Sequence, residues 1–106
     1  MTSVEQSNAG GAIVGYARTS TSDQIAGLEH QIGELEAAGC TRIFAEHVSA
    51  IERRRPELEA ALDWLREGDT FIVTKPDRLA RSVTDLMSIV ERLRSKGVIT
   101  RVLSMN

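Results

Sequence analysis

Four short apolar segments of the chain alternate with three longer stretches in which apolar residues recur every three or four positions. The short segments have the length and composition of strands, and they cover residues 12–17, 42–46, 70–74 and 98–103. Each helical stretch ends at a glycine, Gly39, Gly68 or Gly97, as is usual where a helix stops before a strand. This order predicts right-handed crossovers and therefore an α/β three-layer sandwich with a small central parallel sheet of about four strands.

The three helical stretches are predicted to cover the sheet. The first follows a polar turn and carries apolar residues at helical spacing up to Gly39: Ile25, Leu28, Ile32 and Leu35. The second is predicted to begin at Pro56, which suits the first turn of a helix, and to reach Gly68. The third is predicted to run without a break from Asp77 to Gly97, and its apolar face is Val83, Leu86, Met87, Val90 and Leu93.

Length and charge limit what the chain can bind. A chain of 106 residues with 42% apolar and 26% charged residues predicts one globular domain, assigned here to residues 12–106. The formal net charge is −2, so no global basic surface is predicted. Any contact with nucleic acid must therefore come from a local cluster of cations.

The start of the chain is polar. Residues 1–11 are rich in Ser, Gln, Asn and Gly, so they are predicted to form a flexible leader rather than a signal peptide. No apolar run has membrane-spanning length, and we expect a cytoplasmic protein with no membrane partner. The single cysteine, Cys40, excludes an intramolecular disulfide and is predicted to be a small buried apolar residue.

Polar and charged residues follow three of the predicted strands, at the point where each strand ends. Arg18 and Ser20 follow the first strand, Glu46 and Ser49 the second, and Lys75, Asp77 and Arg78 the third. Open parallel sheets bind their ligands beyond the carboxyl ends of the strands. The sequence therefore predicts a ligand site at this edge.

The turn after the first strand contains four consecutive hydroxyl residues, Thr19, Ser20, Thr21 and Ser22. Residues of this kind usually cap the helix that follows. A helix N-terminus beside the guanidinium of Arg18 would also bind a phosphate, and a hydroxyl in the turn would then lie next to it. Composition does not choose among the four hydroxyls as a nucleophile.

Two groups of arginines lie near the predicted site. Arg78 and Arg81 are three residues apart near the predicted start of the third helix, so they are predicted to share one face, where one of them could pair with Asp77. Cations at a helix N-terminus oppose its dipole, and two of them favour an anionic ligand. Residues 53–55 are three consecutive arginines in the loop after the second strand, a pattern typical of phosphate contacts.

Three motifs, in their order along the chain, resemble those of the serine site-specific recombinases, which are the DNA resolvases and invertases. They are Tyr-Ala-Arg-x-Ser-Thr-x-x-Gln at residues 16–24, Arg-Pro-x-Leu at 55–58 and Asp-Arg-Leu-Ala-Arg-Ser at 77–82. The resemblance covers residues 13–103. It implies a resolvase-like sheet of strand order 2-1-3-4, and DNA cleavage and rejoining through a covalent phosphoserine.

The resemblance also implies roles for individual residues. It selects Ser20 as the nucleophile, and the catalytic groups around it are Arg18, Arg55, Asp77, Arg78 and Arg81. The supporting residues are predicted to be Tyr16, Gln24, Glu46, Ser49 and Lys75, with Arg53 and Arg54 facing the DNA backbone. Neither His30 nor His47 lies in the motifs, so guanidiniums rather than a histidine base would stabilise the alkoxide. No cofactor is implied, and because Glu46 and Asp69 lack further carboxylates at ligand spacing, no metal site is predicted.

Members of the family that this chain resembles continue from the fourth strand into a long dimerisation helix and then into a DNA-binding domain. Neither is predicted within residues 12–106. The implied partners are DNA, a second subunit, and a synaptic tetramer in the full-length protein, with no small-molecule substrate. The isolated domain is expected to have little or no activity.

Two other interpretations stay open at this point. A catalytically idle relative that pairs with active recombinase subunits would have the same sequence features. A phosphate-sensing α/β domain of the receiver type would need an acidic cluster at the strand ends, where this chain has arginines instead.

Overall fold

A computed structural model describes residues 11–19, 25–48 and 54–105 of the chain. Four parallel strands form one sheet: β1 (Ile13–Thr19), β2 (Arg42–His47), β3 (Thr70–Val73) and β4 (Ile99–Val102). Their order across the sheet is β2-β1-β3-β4, which confirms the predicted parallel sheet and its 2-1-3-4 order. The predicted leader lies outside the described residues, apart from Gly11.

The helices are α1 (Ile25–Ala37), α2 (Pro56–Trp64), α3 (Pro76–Leu79) and α4 (Val83–Ser95), and a 3-10 turn, Leu103–Met105, follows β4. The glycines predicted to stop the helices, Gly39, Gly68 and Gly97, have φ values of 101, 92 and 78°. Residues other than glycine rarely adopt this left-handed conformation, and the three glycines turn the chain just before β2, β3 and β4. Helix α2 stops earlier than predicted, because Leu65 after Trp64 already has extended backbone angles.

The core occupies both faces of the sheet. On one face, Val14, Tyr16 and Phe71 pack with side chains of α2 and α4, including Leu62 and Leu93. Each fully buried side chain of this size stabilises the fold by about 1.5–3 kcal/mol. Helices α2 and α4 therefore form one helical layer on this face of the sheet.

The opposite face of the sheet packs against α1, so helices cover both faces and the predicted three layers are confirmed. Ala17 and Ile72 of the sheet contact Leu35 of α1, and Cys40 packs at the edge of this cluster. Cys40 is half-buried rather than fully buried as predicted, and partial burial raises the pKa of its thiol. Its position, just after the Gly39 turn, leaves part of the side chain outside the cluster.

The third predicted helix is interrupted. A four-residue helix, α3, ends at Leu79, Ala80 has extended backbone angles, and α4 begins only at Val83. Ser82 is the N-cap of α4, and its hydroxyl accepts a hydrogen bond of 3.1 Å from the backbone N–H of Asp85. The predicted continuous helix from Asp77 is therefore wrong, because this capping interaction starts a new helix.

The break also changes which face of α4 is buried. Ile89 and Leu93 pack in the core, whereas Val83 and Met87 are 76% and 65% exposed. Of the predicted apolar face, only Leu86 and Leu93 pack in or against the core, together with Ile89, which the prediction omitted. In the part of the chain that the structure covers, no helix has both the length and the apolar character to cross a lipid bilayer.

Candidate active site

Three parallel strands, β1, β2 and β3, bring their carboxyl ends to the same edge of the sheet. Thr19 ends β1 and pairs with His47 at the end of β2, and its Oγ1 lies 2.8 Å from His47 Nδ1. The hydroxyl of Thr19 is buried in this hydrogen bond, and its backbone carbonyl accepts one from Val48. The next residue in the chain, Ser20, lies outside the described residues.

Glu46 fixes the start of α2. Its carboxylate accepts a 2.6 Å hydrogen bond from the Tyr16 hydroxyl and bonds of 3.0 and 3.1 Å from the backbone N–H groups of Glu57 and Leu58. Burial raises the pKa of Tyr16, and the hydrogen bond to the neighbouring carboxylate raises it further. Because Glu46 occupies the unpaired donors of the first turn of α2, it also sets the position of Arg55, the residue directly before that helix.

Arg18 lies at the centre of the edge and is 6% exposed. Its Nη1 donates to the carbonyl of Val48 at 3.1 Å and its Nη2 to the carbonyl of Asp77 at 2.7 Å. Its Nε is buried and makes no hydrogen bond to any residue that the structure describes. The guanidinium of Arg18 therefore connects Val48, directly after β2, to α3, while its Nε–H is bonded to none of the described residues.

Gln31 holds the backbone of Arg18. Its amide oxygen accepts from the Arg18 N–H at 3.3 Å, and its Nε2 donates to the Arg18 carbonyl at 3.0 Å. The same carbonyl accepts a 3.3 Å bond from Nη1 of Arg78, which is half-buried on α3. Arg18 and Arg78 are therefore immediate neighbours.

Arg55 and Arg81 form a second pair, arranged around Asp85. Arg55 is 7% exposed, and it donates to the carbonyl of Leu79 at 2.7 Å and to Oδ2 of Asp85 at 2.8 Å. The same Oδ2 accepts a 2.9 Å bond from the backbone N–H of Arg81 and lies 3.7 Å from its Nε. Partial burial raises the pKa of Asp85, but the hydrogen bonds from Arg81 and Arg55 outweigh this and hold its pKa below the usual value.

The two pairs are connected through α3. Arg18 binds the carbonyl of Asp77, and Arg55 binds the carbonyl of Leu79 at the end of the same short helix. The two buried arginines thus hold the segment that carries Arg78 and leads to Arg81. Four guanidiniums are therefore concentrated at the carboxyl edge of the sheet.

The sequence matches the family described as "Resolvase, N terminal domain" over residues 13–106. The chain belongs to this family. It is 48% identical over 86 residues to a probable DNA-invertase of Sinorhizobium fredii, an alignment that covers 81% of this chain and 28% of the relative. It is 42% identical over 92 residues to a serine recombinase of Escherichia phage Mu, covering 87% of this chain and 47% of that protein. The chain thus spans less than half the length of these curated relatives.

Solved structures agree with this assignment. The C-terminal catalytic domain of ISC1926 TnpA, an IS607-like serine recombinase, superimposes with a TM-score of 0.75 at 25% identity, covering 87% of this chain and 67% of that one. The N-terminal catalytic domain of TP901-1 integrase gives a TM-score of 0.70 at 25% identity, covering 88% and 77%. Membership of the resolvase family removes the receiver-type alternative.

In this resolvase-family domain, the structure describes nine of the residues that the sequence singled out. They are Tyr16, Arg18, Glu46, Arg54, Arg55, Lys75, Asp77, Arg78 and Arg81, while Ser20, Gln24, Ser49 and Arg53 lie outside the described residues. Tyr16, Arg18, Glu46, Arg55, Arg78 and Arg81 join the hydrogen-bond network at the carboxyl edge, and Asp77 joins it through its carbonyl. Arg54 and Lys75 are exposed beside it.

One predicted arrangement is wrong. Arg78 and Arg81 do not share a helix face, because α3 ends at Leu79 and Arg81 lies in the turn before α4. Arg81 pairs with Asp85, since the start of α4 brings that carboxylate onto the backbone of Arg81. Arg78 and Arg81 therefore do not oppose the dipole of a single helix.

Gln31 and Asp85 are site residues that the sequence prediction missed. A signal for Gln31 existed, because it lies three residues after Leu28 and four before Leu35, on the apolar face of α1. A polar residue in such a place is buried only with hydrogen-bond partners, and Gln31 is 5% exposed. For Asp85 the signal was its spacing of three residues from Ser82, which indicates a helix cap.

The two carboxylates considered for a metal site have structural partners, and Asp69 lies just before β3, at the amino edge of the sheet and away from the site. Asp69 accepts bonds of 2.7 and 2.8 Å from the backbone N–H groups of Ala12 and Arg66, as Glu46 does from α2. Within residues 11–19, 25–48 and 54–105, no group of three or more His, Cys, Asp and Glu side chains is arranged to hold a metal ion. The positive charge described at the carboxyl edge comes from the guanidinium groups, with the exposed Lys75 beside them.

Proposed function

We propose that this chain is the catalytic domain of a DNA site-specific recombinase, which cleaves and rejoins DNA through a covalent phosphoserine at Ser20. The observation that carries the proposal is the clamping of α3 by two buried arginines, Arg18 and Arg55. This clamp brings Arg78 and Arg81 to the edge of the sheet where β1 leads into Ser20. DNA would be its substrate, in the cytoplasm, and the full-length protein would act as a dimer and a synaptic tetramer.

The chemistry proposed is a phosphoryl transfer without net hydrolysis. Ser20 Oγ attacks the phosphorus of a backbone phosphodiester, the bond from phosphorus to the 3′ oxygen breaks, and Ser20 becomes linked to the 5′ phosphate. The proton lost by the serine hydroxyl is balanced by the proton gained by the departing 3′ oxygen. A 3′ hydroxyl then reverses the step on a new partner, so the ester bond energy is retained and no ATP is needed.

The arginines would stabilise the charge on the phosphate oxygens during transfer. A guanidinium keeps its charge when desolvated, and its planar fork matches the phosphate geometry. The buried Nε of Arg18 has a hydrogen to donate, which supports a role for Arg18 at an acceptor beyond the described residues. A metal-independent mechanism is proposed because these cations can supply the positive charge that the transition state requires.

The assignment of the nucleophile is supported by the state of Thr19. Its hydroxyl is 1% exposed and shares a hydrogen bond with His47, so it is unsuited to attack a phosphate in solution. Among the four hydroxyl residues of the turn, the family motif matches Ser20. His47 is engaged with Thr19, which supports activation of Ser20 by guanidiniums rather than by a histidine base.

The test is capture of the covalent adduct by the full product of the reading frame that encodes this chain, on nicked DNA carrying its recombination site. Ser20→Ala should abolish the adduct while DNA binding is retained. Ser22→Ala is the matched control in the same turn, and it should change stability by about 1 kcal/mol at most through a helix cap. An adduct that persists in Ser20→Ala, or that requires Mg²⁺, would contradict the proposal. Absence of any adduct in the unaltered protein would favour the catalytically idle alternative.

A further inference from the structure

We infer that Asp85 is a positioning residue of the strand-transfer site. Its carboxylate holds the guanidinium groups of Arg55 and Arg81 in the orientation in which they contact the phosphate. The inference rests on the proposed function, and it assigns a role to a residue that lies outside the three sequence motifs. Asp85 is in the first turn of α4, and its Oδ2 receives Nη2 of Arg55 and the backbone N–H of Arg81.

Burial makes the pair of Arg55 and Asp85 more than a surface ion pair. The side chain of Arg55 is 6% exposed and that of Asp85 is 19% exposed, and their atoms lie 2.8 Å apart. A buried guanidinium needs a counter-charge, and the removal of one partner leaves the other uncompensated. Arg55 has its second described bond to the carbonyl of Leu79, so Asp85 fixes one arm of the fork and α3 fixes the other.

Asp85 acts on Arg81 in a different way. The same carboxylate oxygen accepts the backbone N–H of Arg81 and lies 3.7 Å from its Nε, so both the turn and the side chain are oriented. Arg55, Arg81 and Asp85 also line a groove of about 690 Å³ whose walls include residues of α2 and α4. A phosphate oxygen in this groove would approach two cations whose directions are set by one carboxylate.

Helix capping and positioning are separable in this structure. The cap of α4 is the hydrogen bond from the Asp85 backbone N–H to Ser82 Oγ, and it does not involve the carboxylate. Ser82→Ala removes that cap and leaves the contacts of the carboxylate in place. Asp85→Asn keeps the backbone N–H and a side-chain oxygen but removes the charge that faces Arg55.

The experiment measures single-turnover formation of the Ser20 adduct at saturating DNA, with the full product of the reading frame and DNA carrying its recombination site. Asp85→Asn should slow adduct formation by about 10-fold or more, the scale expected when catalytic groups are misplaced, with DNA affinity unchanged. Asp85→Glu keeps the charge and should recover part of the rate. Ser82→Ala and Glu91→Gln are controls that should retain the rate; Glu91 is an exposed carboxylate of α4 that lies outside the groove and pairs with Arg94.

A second readout tests the positioning itself, without DNA. In ¹⁵N NMR spectra of this chain, Asp85→Asn should shift the side-chain Nε–H resonances of Arg55 and Arg81 and leave that of Arg18 in place. Ser82→Ala should leave the Arg55 resonance unchanged. If Asp85→Asn leaves the Arg55 and Arg81 resonances where they are, the inference is wrong.

The outcomes separate the inference from the proposed function. If the unaltered protein forms the Ser20 adduct and Asp85→Asn forms it equally fast, the positioning role is overturned and the proposed function stands. If the unaltered protein forms no Ser20 adduct, the proposed function fails and the inference fails with it. Should Asp85→Asn unfold, the double variant Arg55→Gln/Arg81→Gln is compared with the triple variant that adds Asp85→Asn, because neither protein then has a guanidinium for Asp85 to position. Similar rates support the inference, whereas a further loss of about 10-fold contradicts it.

Discussion

Replacement of Glu46 by alanine should destabilise the domain severely, because one carboxylate accepts from the Tyr16 hydroxyl and from two N–H groups of α2. Tyr16 has no exposed surface, so its hydroxyl would lose its partner without gaining water, which costs about 1–3 kcal/mol. Loss of the helix cap adds about 1 kcal/mol. We expect Glu46→Ala to lower the free energy of unfolding by about 3 kcal/mol, or roughly 12–24 °C in Tm for a domain of this size.

The assay is urea and thermal unfolding of the chain, followed by circular dichroism. Tyr16→Phe removes one of the three donors and should cost about 1 kcal/mol. Glu36→Ala, at an exposed glutamate of α1, is the matched control and should change stability by no more than about 0.5 kcal/mol. If Glu46→Ala behaves like Glu36→Ala, the carboxylate does not hold α2 and Arg55 in place.

Three further predictions follow from the site and the core. Arg78→Lys keeps the charge but loses the fork, so adduct formation by the full reading-frame product should slow by about 100-fold, measured in single turnover; an unchanged rate would remove Arg78 from the site. The pKa of Asp85 is lowered in the folded state, so its stabilising effect is present above its ordinary pKa of 3.8 and is lost as the pH falls through the lower folded value. Urea unfolding at acidic pH should therefore show a shallower loss of stability in Asp85→Asn than in the unaltered chain, and parallel curves would refute this. In the core, Leu93→Ala should cost about 2–5 kcal/mol and Met87→Ala less than about 0.5 kcal/mol in the same assay, and equal losses would refute the observed packing of α4.

The sheet and its helices could be predicted from the sequence because local signals agree there. The apolar segments, the helical spacing and the three glycines at positive φ all describe elements that form from neighbouring residues. The break between α3 and α4 was missed because the cap of Ser82 and Asp85 lies inside a run with helical periodicity. Ile89 was likewise omitted from the predicted apolar face of α4, since sequence spacing does not tell which stripe meets the sheet.

The sequence predicts which arginines act in the site, but not which groups those arginines contact. The family motifs name Arg18, Arg55, Arg78 and Arg81, yet their division into two pairs depends on where α3 ends. The bond from Arg55 to Asp85 joins residues 30 apart in the chain, and no local pattern encodes such a contact. Long-range hydrogen bonds of this kind depend on the whole fold.

The most direct test of the account is the chemical identity of the residue that is linked to DNA. The adduct formed by the full reading-frame product would be digested with nuclease and protease, and the modified peptide sequenced by mass spectrometry. We predict a nucleotide phosphate on Ser20. A phosphate on Thr19, Thr21 or Ser22, or a cleaved DNA strand with no linked peptide, would contradict the central claim.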